Sequence, residues 1–305
     1  MKNSTATGTT ATAERPQGPA APYRGRFAPS PTGPLHQGSL VAALASWLEA
    51  RVHRGTWIIR MEDLDTPRCV SGAAEAILAT LAGLGLVSDE PVICQSARRD
   101  AYAAALQALE ASGHSYRCSC SRSDAPGPYA GHCRDLGLQA SPAARRLRLP
   151  AGSICFDDAI QGRSCTDAAA IGDPVIFRRD GIAAYQLAVV VDDAGQGITH
   201  VVRGADLLDS TAWQICIAGA LLLPVPRYMH VPLITEADGS KLAKSRHSLA
   251  INDDRSLALH EALMLLQQSP PISLKAAAVS DILTWATANW RPESLAGTRA
   301  VSLRS

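Results

Sequence analysis

Apolar positions along the chain fall into blocks whose period switches between two and about 3.6, with Gly and Pro between the blocks. Arg24 to Ala28 reads as a short strand that runs into a Pro/Gly turn, Pro29 to Pro34. Leu40 to His53 then carries Leu40, Ala43, Leu44, Trp47 and Leu48 on one helical face. Thr56 to Met61 reads as a buried strand closed by the acidic Glu62, Asp63 and Asp65. Ala73 to Leu84 and Arg98 to Ser112 are helical, each stopping near a glycine, Gly85 and Gly113. From Tyr116 to about Gly181 the texture changes: Cys, Gly, Pro and Arg dominate, with short β-like runs at Arg146 to Leu149 and Val175 to Arg178. The alternation returns at Ile182 to Val191, Thr199 to Val202 and a helix from Ser210 to Leu223. Leu257, Leu259, Leu263, Leu265 and Leu266, then Ile282 to Trp290, predict helices towards the C-terminus.

Alternating strands and helices predict an α/β protein built on a doubly wound parallel sheet. The domain reading is a disordered tail over 1–22, a catalytic domain in two halves (23–115 and 182–252), an inserted module over 116–181 and a short helical region over 253–305. Residues 1–22 are rich in Thr, Ala, Pro and Gly and have no apolar core, which makes them a tail and not a secretory signal. Hydrophobic residues make up 47% and charged residues 19%, an ordinary globular balance. The net charge of +1 gives no global basic field, so any RNA contact must rest on local patches such as Arg145, Arg146 and Arg148, or Arg178 and Arg179. No apolar run reaches the roughly 18 residues of a membrane span, and the stretch Ile215 to Val225 reads as a buried helix ended by Pro224 and Pro226. Eight cysteines without a secretory signal predict thiols or a metal in a reducing, cytoplasmic setting, not disulfides. Cys69, Cys94, Cys155, Cys165 and Cys216 are expected to be idle or buried thiols.

Two segments carry the chemistry, RFAPSPTGPLHQGS (Arg26 to Ser39) and KLAKS (Lys241 to Ser245). In the first, Gly33 and Pro34 permit a tight turn, and His36, Gly38 and Ser39 stand where a helix begins, an anion site through its free N–H groups and dipole. In the second, two lysines three apart suit closure over a polyphosphate. Either string alone is common; their order around a doubly wound pattern points to ATP-dependent activation of a carboxylate.

The first segment resembles the HIGH-type signature of the class I aminoacyl-tRNA synthetases, in their glutamyl/glutaminyl branch, and KLAKS resembles the KMSKS loop. IIRMEDLDTPR (Ile58 to Arg68), DGIAAYQLAVVVDD (Asp180 to Asp193) and VVRGADLL (Val201 to Leu208) are similar to further blocks of that branch, so the likeness spans about Tyr23 to Ser248. It implies a Rossmann-like catalytic domain that takes L-glutamate and ATP with Mg²⁺. It also implies glutamate contacts from Arg26, Phe27, Ala28, Pro29 and Ser30, with Glu62 near the amino group and Tyr185 and Arg203 completing the pocket. An arginine is a natural bidentate partner for a carboxylate. His36, Gly38 and Ser39 would serve ATP, with Lys241 and Lys244 on the closing loop. Ser39 stands where the signature ends in histidine, and Ala243 replaces the loop's central serine, each removing one hydrogen-bonding group.

Cys118, Cys120, Tyr129 and Cys133 form a C-x-C-x8-Y-x3-C pattern, and three thiolates so close suit one tetrahedral zinc. His132 adjoins Cys133; small members of the branch use a tyrosine in a comparable pattern, so the resemblance implies Tyr129 as the fourth ligand of a structural zinc. The chain runs from Ser248 only to Ser305, which leads us to expect no anticodon-binding domain. The pattern is that of truncated members of the branch, which activate glutamate without tRNA and transfer it to the queuosine base in the anticodon loop of tRNA(Asp). The expectation is such an enzyme, acting as a monomer. The alternatives are a minimal synthetase charging tRNA(Glu) and a non-catalytic zinc-containing RNA-binding relative.

Overall fold

The computed structural model describes residues 22–121, 123–124, 127–139, 141–235, 251 and 254–302. The tail read over 1–22 lies outside the described residues except for Pro22, as do Lys241, Ala243 and Lys244. The elements follow in order: β1 (Arg24–Phe27), α1 (Gln37–Val52), β2 (Thr56–Met61), α2 (Ala73–Gly83), β3 (Ile93–Cys94) and α3 (Arg99–Ala111). Then come β4 (Ser115–Cys118), β5 (Ala144–Leu147), β6 (Ser153–Asp158), β7 (Gly162–Asp167), α4 (Ala168–Ile171) and β8 (Val175–Phe177). The chain continues through α5 (Tyr185–Gly195), β9 (His200–Gly204), α6 (Ser210–Ala220), β10 (Arg227–Val231) and β11 (Leu233–Thr235). It closes with α7 (Arg255–Leu265), α8 (Val279–Asn289) and β12 (Ala300–Ser302).

The main sheet has the order β3-β2-β1-β9-β10-β6-β7 and is parallel except for the β6–β7 hairpin. From β1 the chain winds outwards to β2 and β3, whereas β9 and β10 lie on the other side of β1. The order therefore reverses between β1 and β9, and a crevice opens there beyond the carboxyl ends of the strands.

Side-chain alternation divides the sheet into two faces. Phe27, Trp57, Ile59, Met61, Val202, Met229 and Val231 join the apolar core around α1, α7 and α8. Ile58, Val201 and Tyr228 belong to a separate cluster on the opposite face, where α5 lies. Leu40, Leu44 and Leu48 of α1 are fully buried, each contributing about 1.5–3 kcal/mol. The helix is buried beyond the single apolar face read from sequence, because α7 and α8 pack on its outer side. Its Glu49 is consequently buried, and Trp290 Nε1 donates to Glu49 Oε1 at 2.6 Å.

The Cys-rich segment divides between two places. β4, β5 and β8 form a small antiparallel sheet of their own, whereas β6 and β7 extend the main sheet beyond β10. One cysteine expectation is corrected here. Cys155 and Cys165 are not idle thiols but a disulfide, because the hairpin register sets them directly opposite each other with Cα atoms 4.1 Å apart. Among the described residues no helix is long and apolar enough to cross a membrane. Leu44→Ala is expected to lower stability by about 2–5 kcal/mol, read as a fall in the urea midpoint; a loss below about 1 kcal/mol would contradict the buried position of α1.

Candidate active site

A cavity of about 800 Å³ occupies the crevice between β1 and β9. The loop after β1 forms one wall with Ala28, Pro29, Ser30, Gly33 and Pro34, and the start of α1 supplies His36, Gly38 and Ser39. Arg26, Phe27, Glu62, Tyr185 and Arg203 line it as well, so every described residue assigned from sequence to glutamate or ATP lies on this one cavity. The strand ends bring them together: Arg26 precedes the last residue of β1, Glu62 follows β2, and Arg203 stands one residue before the end of β9.

The entry loop is held by the backbone. Glu62 N–H donates to Pro29 O at 2.9 Å, and Gly33 adopts φ +141°, a region where a side chain is strained. His36 is the N-cap of α1; its Nδ1 accepts from Ser39 N–H at 3.2 Å, and its Nε2 lies 3.0 Å from Ser39 Oγ. The serine that replaces the signature's final histidine thus supports the first one. A Cβ on Gly38 would meet the His36 ring at 3.3 Å, so glycine gives the imidazole its room over the helix start.

The floor is a row of charge on one sheet face. Arg26 binds Asp193 through Nε at 3.1 Å and Nη2 at 3.4 Å. Arg60, 0% exposed, donates to Asp193 Oδ1 at 2.8 Å and to Gln196 Oε1 at 2.7 Å. Asp192 accepts from Gln95 Nε2 and Tyr102 Oη, both at 2.8 Å, and from Arg98 Nε. Burial pushes the Asp193 carboxyl up, but the guanidinium groups of Arg26 and Arg60 outweigh it and hold it below the usual range.

Glu62 is the exception. Its side chain is 10% exposed and its Oε1 lies 3.6 Å from Arg60 Nη2 without a hydrogen bond. Burial pushes its carboxyl up to about 7 against the attraction of Arg60 and Arg26. An ammonium group entering beside it would restore its charge.

Arg203, 5% exposed, is held from behind: Nε donates to His230 Nε2 at 3.0 Å and Nη2 to Thr211 Oγ1 at 2.8 Å. Its Nη1 lies 3.4 Å from Tyr185 Oη. Among the described residues no carboxylate pairs with Arg203, so its charge is free to meet an anion.

The second cluster lies apart from the cavity. The sulfurs of Cys118, Cys120 and Cys133 fall within 4.8 Å of one another. Tyr129 Oη is 3.3 Å from Cys118 Sγ and 3.6 Å from Cys120 Sγ, and accepts from Cys133 N–H at 2.9 Å. The ring of His132 stands edge-on to Tyr129, 5.6 Å between centroids. Three soft thiols and a phenol oxygen converging on one point are a donor set that fits zinc. Arg146 lies over the Tyr129 ring at 3.7 Å and reaches Cys118 Sγ at 3.3 Å, a cation beside a cluster that gathers negative charge.

Sequence reasoning missed Gln95, Asp192, Asp193, His230 and Asp158. Two adjacent aspartates closing an otherwise apolar helical run were the available signal, since buried carboxylates demand partners.

The family described as tRNA synthetases class I (E and Q), catalytic domain, matches residues 23–124 and 132–271. The chain belongs to this class I tRNA synthetase family. Within it, the chain is 51% identical to the Glutamyl-Q tRNA(Asp) synthetase of Thiobacillus denitrificans, over 89% of this chain and 94% of that one. It is 50% identical to the protein of the same name from Xanthomonas axonopodis pv. citri, over 93% and 96%. The fold matches the glutamate-tRNA synthetase of Elizabethkingia anophelis with a TM-score of 0.79 at 24% identity, over 93% of this chain and 68% of that one. The α/β class I synthetase fold is thereby established.

Glu62 gives a pH prediction. A carboxyl raised on folding favours the folded state below its unfolded value of 4.5, and that contribution is lost as pH rises through about 7. Glu62→Gln removes the penalty, so its stability relative to the unmodified protein should improve by on the order of 3 kcal/mol between pH 4.5 and 8. Denaturant titrations at both pH values check this; a difference independent of pH would contradict a buried, uncompensated carboxyl.

Proposed function

We propose that this chain activates L-glutamate with ATP, without needing tRNA, and transfers the glutamyl group to the queuosine base in the anticodon loop of tRNA(Asp). The observation that carries the reading is the meeting of Arg26, Glu62, Tyr185 and Arg203 with the His36 helix start in one cavity, in a chain half identical to relatives named for that activity.

The chemistry follows from the lining. Glutamate carries two carboxylates and one ammonium. Arg203 offers a carboxylate an unneutralised guanidinium, and Glu62 receives the ammonium. ATP arrives as its magnesium complex, the metal neutralising part of the polyphosphate. The free N–H groups opening α1 face its phosphates, and His36, seated by Gly38, donates a hydrogen bond as charge develops there. The glutamate α-carboxylate attacks the α-phosphorus and pyrophosphate leaves, with Lys241 and Lys244 countering its charge. A hydroxyl of the queuosine cyclopentene ring then attacks the glutamyl carbonyl carbon and AMP leaves. Positioning and fixed charge do most of this work. The setting is the cytoplasm, where mature tRNA is found.

Cys118, Cys120, Cys133 and Tyr129 hold one structural zinc, which ties the loop between β4 and β5 to its small sheet. The catalytic domain spans 23–115 and 182–252, with the β6–β7 hairpin of the intervening segment added at the edge of its sheet.

Purified protein is expected to catalyse glutamate-dependent ATP–pyrophosphate exchange in the absence of tRNA, and to label tRNA(Asp) only when it carries queuosine. No exchange with glutamate would sink the enzyme reading; labelling that ignores queuosine or prefers tRNA(Glu) would favour a minimal synthetase. Elemental analysis is expected to find about one zinc per chain, falling towards zero in Cys118→Ser together with a lower melting temperature. Unmodified protein without metal would overturn the zinc assignment.

A further inference from the structure

Behind Arg203 stands a line of buried polar groups that the adenylation chemistry does not touch. His230 is 0% exposed, and its Nδ1 lies 2.6 Å from Asp158 Oδ2. The other carboxylate oxygen, Asp158 Oδ1, accepts from the backbone N–H of Ile160 at 3.0 Å, of Gln161 at 2.9 Å and of His230 at 3.2 Å. Asp158 is thus pinned to the turn of the β6–β7 hairpin and to β10. On its far side His230 faces the Arg203 Nε–H at 3.0 Å.

We propose that Asp158 and His230 are positioning residues for Arg203. Asp158 fixes His230 as the neutral Nδ1–H tautomer, and the bare Nε2 anchors Arg203 Nε so that Nη1 is presented beside Tyr185 to a carboxylate of the amino-acid substrate.

The proton arrangement follows from the partners. Arginine is always a donor, so the imidazole nitrogen facing Nε must be an acceptor, and the proton belongs on the nitrogen facing the carboxylate. An imidazolium would set N–H against N–H at 3.0 Å. The choice of a neutral acceptor has a consequence. A carboxylate in His230's place would hold Arg203 more tightly, but it would cancel the charge that the substrate must meet. Imidazole fixes direction and leaves the guanidinium uncompensated, with the Asp158 charge one ring further away. Thr211 Oγ1 and Leu207 O hold Nη2 at 2.8 and 3.3 Å, so Nη1 is the nitrogen with a donor to spare. Sequence explains the geometry: Arg203 and His230 are paired in register on neighbouring strands, and Asp158 ends the strand beyond.

This inference rests on reading Arg203 as the grip on a glutamate carboxylate, and the test separates the two. Steady-state constants are measured in glutamate-dependent ATP–pyrophosphate exchange with the full chain. Arg203→Lys tests the grip itself; a glutamate KM within about twofold of the unmodified value defeats the pocket reading. The relay is tested by His230→Gln and His230→Asn. Glutamine keeps an acceptor near the Nε2 position; asparagine keeps only the donor to Asp158. The glutamate KM is expected to stay within about threefold in His230→Gln and to rise about tenfold or more in His230→Asn and in Asp158→Asn, whose amide forces the opposite tautomer. The KM for ATP should stay unchanged in all three. Equal damage from His230→Gln and His230→Asn, or a parallel rise in both KM values, overturns the relay. Nitrogen-15 imidazole spectra of the unmodified protein at pH 7 provide a test that needs no variant to fold. A neutral ring protonated at Nδ1 is expected; an Nε2–H or doubly protonated ring refutes it.

Discussion

Asp192 and Asp193 at the end of α5 are the pair on which the molecule's organisation depends. Strand alternation puts Arg26, Arg60, Arg203 and His230 on one face of four adjacent strands, β2-β1-β9-β10. So many basic groups under a helix would be unaffordable in a dry interior without counter-charges. Two successive carboxylates on a helix point about 100° apart and so reach different partners. Asp193 takes Arg26 and Arg60 from the sheet, while Asp192 takes Gln95 and Arg98 from the segment leading into α3 and Tyr102 from α3 itself. Neutralising Asp193 would leave Arg26, buried, without the carboxylate it pairs with, which costs about 3–5 kcal/mol. The same contacts clamp α5, with Tyr185 at its start, over the crevice.

The charge left unbalanced matters as much as the charge that is paired. Arg26 and Arg60 are satisfied by Asp193, and Arg98 by Asp192. What remains beside the cavity is Arg203, held by neutral groups, and Glu62, whose carboxyl burial lifts to about 7. A cavity with one cation unpaired by a carboxylate and one carboxyl oxygen without a hydrogen bond suits a ligand that carries an anion and a cation. Under the proposed function, glutamate would be that ligand and would relieve the unfavourable terms at Arg203 and Glu62 together.

The elements were legible where a single face or a full strand was buried. The expected strand Thr56–Met61 has the bounds of β2, and the helix read over Leu40 to His53 overlaps α1, which starts three residues earlier and ends at Val52. The substrate residues were legible only through resemblance, because Arg26, Glu62, Tyr185 and Arg203 converge by strand topology and no local spacing announces it. The rest depended on tertiary partners. That α1 is buried around most of its girth follows from α7 and α8, and the bridging of Cys155 with Cys165 follows from hairpin register. The hairpin was itself read as part of an insert, yet β6 meets β10 in the main sheet through Tyr228 and Asp158. One short contact decides that placement, and periodicity is blind to it.

That contact links the Cys-rich segment to the cavity in two ways. Through β6, it carries Asp158 to His230 and so to the back of Arg203. Through the loop after α4, Gly172 lies so close to Tyr129 that a Cβ there would meet the Tyr129 backbone nitrogen, while its carbonyl accepts from Trp213 Nε1 at 3.0 Å. Trp213 lies on α6, two residues from the Thr211 that steadies Arg203 Nη2. Asp173, fully enclosed, locks the same loop by accepting from Tyr116, Arg134 and Leu149 N–H. The guanidinium at the cavity is thus held through Asp158 and His230 on one side and through Thr211, on the helix that packs against Gly172, on the other.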